Sequence, residues 1–358
     1  MNNVTIPTLD PSSNSTGHEA CVIPDSLDWI FAYQPAYMWF IFVLGFIENV
    51  FVILVFLLHR NHCTVAEIYL SNMATADLIL VMGLPFWAIC IANKFYWPFG
   101  SFLCVTLNSL IQLNLYSSIY FLMMVSIDRY LALVKTMSFG RMRRTGCAKI
   151  NCAIIWIVAI VASLPKVIFR TVKFIPEYNT TLCVIEYPNH DWVIATNFVM
   201  NIFGFLIPAV VIVFCTYQII KVLRNNTMQQ FKEINNEKKA TWLVFSVLLV
   251  FIICWLPFHV FTFLDTLDAF GIFTKCSQAN TIEIGNQLST YIAYSNSFIN
   301  PLLYVIVGNH FRKKAKEVFW QILAKFRPPR RASLPINYSG VTARTSISMA
   351  NQHFIFKQ

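Results

Sequence analysis

Charge is scarce in this chain. Of its 358 residues, 12% are Asp, Glu, Lys or Arg, while 57% are apolar. That composition suits lipid rather than water as the solvent. There is no long repeat and no low-complexity tract, so the chain is not read as a repeat protein. No His-Glu-x-x-His, paired-Asp or Ser/His constellation occurs, and Glu48 and Asp77 lack a catalytic partner, which argues against an intramembrane enzyme. Inverted repeats and broken half-helices, the marks of a transporter, are absent. Residues 1–35 have no apolar core ahead of a small-residue cleavage site, so no cleaved signal peptide is expected and the first span does the targeting.

Seven long apolar stretches are present instead, at roughly 36–58, 66–92, 101–134, 147–169, 191–222, 239–267 and 281–307. About 20 mostly apolar residues suffice to cross a bilayer as a helix. The expected fold is therefore all-α: a seven-transmembrane bundle over 36–307, a short amphipathic eighth helix over 308–325, an N-terminal segment 1–35 and a tail 326–358. Most Lys and Arg lie in the odd-numbered gaps and the tail, whereas the other face holds only Lys94, Lys166, Arg170, Lys173 and Lys275. The positive-inside rule then predicts a plasma-membrane protein with its N-terminus outside and its C-terminus in the cytoplasm. The outer face is net acidic, which suggests either a cationic ligand or a solvated rim. The bases flank spans instead of forming a soluble patch, so nucleic acid is not an expected partner.

Topology sorts the shorter signals. Asn3, Asn14 and Asn179 head glycosylation sequons on the predicted outer side. Cys21, Cys104, Cys183 and Cys276 also lie there, and four cysteines in an oxidising space allow three pairings. The reading adopted joins Cys104, which opens the third span, to Cys183 in the second outer loop, and Cys21 to Cys276. The remaining six cysteines are expected as free thiols.

Polar groups within spans are costly and normally face the bundle interior. Asp77 is such a group. Asn49, Asn114, Ser118, Asn296, Ser297 and Asn300 are others, and Asn114 and Ser118 share a helix face. With Asp77 they form either an oxygen-rich pocket for a small cation or a hydrogen-bonded cluster that ties helices together; spacing leaves both open. Three further strings occur at fixed depths: Asp128-Arg129-Tyr130 at the end of the third span, Cys254-Trp255-Leu256-Pro257 in the sixth, and Asn300-Pro301-Leu302-Leu303-Tyr304 in the seventh. Together they give a chain that resembles the rhodopsin-like G-protein-coupled receptors over about 36–325.

The resemblance implies a non-enzymatic receptor whose partners are a heterotrimeric G protein, arrestin, receptor kinases and membrane lipid. It implies that Arg129 meets the G protein and is restrained at rest by Asp128 and Glu237. Trp255 would be the rotamer switch, and Ile119, Pro208 and Phe251 the packing switch. Asp77, Asn114, Ser118, Asn296, Ser297 and Asn300 would form an allosteric sodium site; no cofactor is otherwise expected. The family's deep tyrosine of the fifth span is Thr216 here, with Tyr217 next to it. Either the spacing is displaced by one, or the contact with Tyr304 is lost.

Strings such as Gly83-Leu84-Pro85-Phe86-Trp87, Asn114-Leu115-Tyr116-Ser117-Ser118, Thr262-Phe263-Leu264-Asp265-Thr266 and Arg344-Thr345-Ser346-Ile347-Ser348 are similar to the bradykinin (kinin) receptors, in the subtype that answers to the intact peptide. Angiotensin receptors share some of them. The likeness implies a kinin-like peptide of bradykinin or ornithokinin type, with signalling through Gq, phospholipase C and calcium. It implies that Asp265 and Glu283 hold the peptide's N-terminal Arg. Arg170 and Lys173 would take its C-terminal carboxylate, and Trp87, Asn108, Phe258 and Tyr294 would line the cavity. Ser339, Thr342, Thr345, Ser346 and Ser348 are candidate phosphorylation sites. Peptide mapping of surface protein under non-reducing conditions should recover Cys104–Cys183 and Cys21–Cys276; free Cys21 or Cys276 would remove the second bridge.

Overall fold

The computed structural model describes residues 28–59, 63–135, 144–176, 179–225, 231–273, 276–306 and 309–326. The chain divides into two units, 1–319 and 320–358; of the second, only the end of the last helix is described. The elements run α1 (Asp28–Leu58), α2 (Val65–Ala92), α3 (Gly100–Leu133), α4 (Thr145–Phe169), β1 (Arg170–Ile175) and β2 (Thr180–Ile185). Then come α5 (His190–Asn201), one π-helical turn (Ile202–Leu206), α6 (Ile207–Asn225), α7 (Phe231–Ala269), α8 (Cys276–Ile306) and α9 (Asn309–Phe326).

Among the described residues six spans are long and apolar enough to cross a membrane, α5 and α6 counting as one. Helix α8 is the seventh. Asn286, Gln287, Ser289, Ser295, Asn296, Ser297 and Asn300 lower its hydropathy, and Ser289, Ser295, Asn296, Ser297 and Asn300 are buried. Its polarity is spent on neighbouring helices. Helix α4 is the opposite case, with Ile150, Ile154, Ile157, Val161 and Ile168 all pointing away from the bundle.

Local chemistry sets the helix ends and irregularities. Thr64 caps α2 in a reciprocal box: its hydroxyl accepts from the Glu67 N–H at 3.4 Å, and Glu67 Oε2 accepts from the Thr64 N–H at 2.8 Å. Asn189 caps α5 by accepting from the Trp192 N–H. The π-helical turn lies just before Pro208. A proline lacks an N–H and its ring crowds the preceding turn, and the widened turn absorbs that misfit. Gly204 lies in this turn. A Cβ there would stand 3.0 Å from Leu115 Cδ2, so glycine lets α3 approach closely.

The main apolar core joins Val52 and Val55 of α1, Tyr69 and Met73 of α2, Ile119, Leu122 and Val125 of α3, Ile212 of α6, and Val247, Phe251 and Trp255 of α7. One departure from the all-α expectation is the antiparallel hairpin β1–β2, which pairs Arg170 with Ile185 and Ile175 with Thr180. Asn179 turns the hairpin with φ of 47°, a left-handed conformation that asparagine tolerates, and is exposed there.

The opposite end carries a contact that the basic pattern of α9 concealed. Lys314 does not face outward with Arg312, Lys313 and Lys316. It reaches Glu67 Oε2 at 2.8 Å, and both side chains are only 7% exposed. His59 meets Glu317 at 2.8 Å beside it. Phe311 packs edge-on to Phe56 and Tyr304, completing the dock. Removing one partner of a buried ion pair strands a charge, which costs about 3–5 kcal/mol. Lys314→Met should therefore lower the thermal unfolding midpoint of the solubilised protein strongly, and replacing Glu67 by Leu in the same chain should recover most of the loss.

Candidate functional site

A polar cluster sits at the middle of the bundle. Asp77 on α2 is 1% exposed. Its Oδ1 accepts from Asn114 Nδ2 at 2.9 Å, Ser297 Oγ at 3.2 Å and Ser118 Oγ at 3.3 Å, and its Oδ2 accepts from Asn300 Nδ2 at 3.1 Å. Helices α2, α3 and α8 therefore meet at one carboxylate. Asn49 ties α1 in by donating to the carbonyl of Ser297 at 2.8 Å. Asn296 is buried one residue before Ser297 but does not bond Asp77; its Oδ1 and that of Asn300 have no hydrogen-bond partner. The cluster is thus both a helix tie and a set of spare oxygens.

Above it lies an aromatic stack. Trp255 packs on Phe251 at 6.0 Å and on Phe258 at 5.9 Å, and Ile119 and Pro208 are buried. His259 stacks on Phe205 at 4.5 Å, and its Nδ1 donates to Asn201 Oδ1 at 2.9 Å, joining α7 to α5 beside the π-helical turn. Neither contact was evident from spacing.

At the α9 end, Arg129 donates to its neighbour Asp128 at 2.8 Å. Tyr130 packs on Phe214. The side chain of Glu237 lies outside the described residues. Thr216 is 8% exposed and Tyr217 62% exposed, so the residue that faces the bundle is the threonine. The Tyr304 hydroxyl is buried without a partner. In this structure Tyr217 faces away from the bundle.

At the hairpin end α7 and α8 each carry a carboxylate. Asp265, one turn from the end of α7, accepts from Asn197 Nδ2 of α5 at 3.1 Å. Glu283 of α8 accepts from Gln287 Nε2, one turn along, at 3.2 Å. The two charges lie within Coulombic reach of each other. The Gln287 Oε1 is buried with no partner. Two half-buried carboxylates and a spare amide oxygen are all acceptors, the complement of a group with several N–H donors such as a guanidinium, which has five. Gln287 was legible as an i, i+4 partner of Glu283; Asn197 comes from a distant helix and was not.

The other cavity residues divide. Cys104 and Cys183 form a disulfide with Cα atoms 5.7 Å apart, fastening β2 to the start of α3. The Cys21–Cys276 pairing lies outside the described residues, as do Asn3, Asn14, Ser339, Thr342, Thr345, Ser346 and Ser348. Asn108 donates to the Cys104 carbonyl and to Cys183 Sγ, so it braces the bridge. Lys173 is engaged by Glu186 across the hairpin. Arg170 donates to the Cys183 carbonyl at 3.1 Å and keeps a buried Nε with no partner. Burial pushes its guanidinium down to about 10, against the pull of the nearby Tyr187 and Tyr294 phenols. Trp87 stacks near Trp97 with its indole N–H unpartnered.

Residues 48–304 match the family described as 7 transmembrane receptor (rhodopsin family). The chain is 51% identical to the B2 bradykinin receptor of Homo sapiens over 98% of its length and 90% of that protein's. It is 49% identical to the B2 bradykinin receptor of Sus scrofa, covering 98% and 97%. Identity to the B1 bradykinin receptor of Homo sapiens is 38%, over 87% and 88%. The chain belongs to the rhodopsin family of seven-transmembrane receptors, which are multi-pass membrane proteins and not enzymes. Within that family it falls with the bradykinin receptors and stands nearer the B2 than the B1 form.

Proposed function

We propose that this is a cell-surface receptor for a kinin-like peptide, with the hairpin end outside and the α9 end in the cytoplasm. The observation that carries the reading is the pair Asp265 and Glu283, each half-buried and oriented by its own amide donor at the outer ends of α7 and α8. The intact peptide's N-terminal Arg sits between them, and Arg170 takes its C-terminal carboxylate. Lys173 contributes less, because Glu186 already holds it. Half identity to the B2 bradykinin receptors fits a kinin of altered sequence, and ornithokinin is the finer candidate.

The peptide bridges the outer ends of α7 and α8 above Trp255 and Phe258. It shifts the population toward whichever arrangement of α7 it binds more tightly, since a ligand biases only states it binds unequally. Pro257 removes one backbone hydrogen bond and is the place where α7 bends. At the other end the shift frees Arg129 from Asp128 and Glu237 to meet a G protein of the Gq class, followed by phospholipase C and calcium release. Arrestin and receptor kinases act later, on Ser339, Thr342, Thr345, Ser346 and Ser348. Asn3, Asn14 and Asn179 carry glycans. Sodium is the proposed ligand of the spare oxygens around Asp77, where the unpartnered Oδ1 atoms of Asn296 and Asn300 fit a small hard cation.

Asp265→Ala and Glu283→Ala should each weaken the intact peptide, by about 2–5 kcal/mol if the pair is desolvated. A peptide whose N-terminal Arg is replaced by a neutral residue should lose much less. A double-mutant cycle between each acid and that Arg measures this; coupling near zero for both acids would move the cationic site elsewhere. Calcium release to an angiotensin-type peptide and not to kinins would favour a receptor for another vasoactive peptide.

Sodium should lower agonist affinity, and Asp77→Asn should abolish that response. Radioligand competition in sodium against a large organic cation checks it, and an unchanged sodium response in the variant would contradict the assignment.

A further inference from the structure

One turn below Asp265, and within the same turn of α8 as Glu283, α7 and α8 touch in an unusual way. Gly285 of α8 is buried, and a Cβ built on it would stand 2.0, 2.3 and 2.4 Å from the Cε1, Cζ and Cδ1 atoms of Phe261. Carbon atoms in ordinary contact are about 3.5–4.0 Å apart. The Phe261 ring therefore rests on the bare backbone of α8, in space that any side chain would occupy. Helix axes pack about 8–10 Å apart according to the residues between them. Here the spacer is one aromatic ring against no side chain at all.

The position of this contact gives it a consequence. Phe261 is four residues before Asp265, on the same face of α7 and one turn deeper. Gly285 is two residues after Glu283, on the far side of the same turn of α8. A shift of α8 at Gly285 thus carries Glu283 with it as part of a rigid helix, and a rotation of the Phe261 turn carries Asp265. Asn197 and Gln287 hold the carboxylates on their own helices, and neither bond spans α7 to α8. The distance between the two acids is left to helix packing.

We infer that Phe261 and Gly285 are a positioning pair that sets how closely the turns carrying Asp265 and Glu283 approach, and so determine the preference for a peptide that begins with Arg. The inference rests on the proposed role of those two acids. A charge-assisted N–H···O bond spans about 2.7–2.9 Å. A methyl at position 285 displaces either the ring or α8 by more than about 1 Å. Where α8 gives way and not the ring, that displacement is enough to leave one of the two carboxylates out of reach.

The test is competition binding on the full chain in membranes, with surface level measured by antibody. Three probes are compared: a kinin peptide beginning with Arg, the same peptide beginning with Lys, and one beginning with a neutral residue. Gly285→Ala should lower affinity for the Arg peptide by about tenfold or more, the scale of a 1 Å misplacement. The neutral peptide should move by about twofold or less. Adding Phe261→Ala removes the ring and should restore most of the Arg preference. Equal losses for all three peptides would make the contact merely structural and overturn the inference. So would an unchanged Arg preference in Gly285→Ala when Asp265→Ala abolishes it. If Asp265→Ala itself leaves the preference intact, the role of the acids fails, and this inference with it. Should Gly285→Ala not reach the surface, Phe261→Leu shrinks the spacer without a clash. The Arg-over-Lys preference should then narrow, and an unchanged preference overturns the proposal.

Discussion

A carboxylate in the middle of a membrane bundle must be answered by the protein itself, because the hydrocarbon offers no water to bond it. Asp77 is that carboxylate. Two amides and two hydroxyls from α3 and α8 meet it, and Asn49 extends the tie to α1. Most other features of the bundle follow from this constraint. Helix α8 is polar along much of its length because it supplies half of Asp77's partners, and it falls short of the hydropathy of its neighbours for the same reason. Helix α4, which takes no part, presents aliphatic side chains outward.

The two ends solve different problems around this centre. At the α9 end the charges are closed: Glu67 with Lys314, Glu317 with His59, Asp128 with Arg129. At the hairpin end Lys173 and Glu186 are paired, whereas Asp265 and Glu283 meet amides instead. Asp265 and Glu283 accept from the Asn197 and Gln287 amides, and Gln287 keeps a spare oxygen. Two acids gathered at neighbouring helix ends repel one another, and that is the physical argument for a cationic ligand there. Between the ends run Pro257, the Trp255 stack and the π-helical turn before Pro208, the places where helical hydrogen bonding is already interrupted and bending costs least.

Much of this was legible in the chain, for reasons that can be stated. Lipid crossing demands apolar length, so the spans were visible, and α1 to α4 end within a few residues of expectation apart from the longer start of α1. Asp77 and its partners could be named because a buried charge in a span requires company. Asn296 was included by the same logic and does not bond the carboxylate, since spacing along a helix does not say which neighbour a side chain turns to. The hairpin β1–β2 was missed because a loop between spans carries no hydropathy signal. Lys314 was read as part of a basic surface, but its pairing depends on Glu67, 247 residues away. Thr216 against Tyr217 was undecidable from sequence, because one residue of helix rotation exchanges inside for outside.

The central claim is that a cationic N-terminus lies between α7 and α8 at the hairpin end. Photo-cross-linking reads this directly. A kinin peptide carrying a photoreactive group on its N-terminal Arg is bound to the receptor, irradiated and mapped by mass spectrometry. The account places the label on peptides from the last two turns of α7 or the first three turns of α8, around Asp265 and Glu283. Label confined to α1, or to the hairpin Arg170–Ile185, would contradict it.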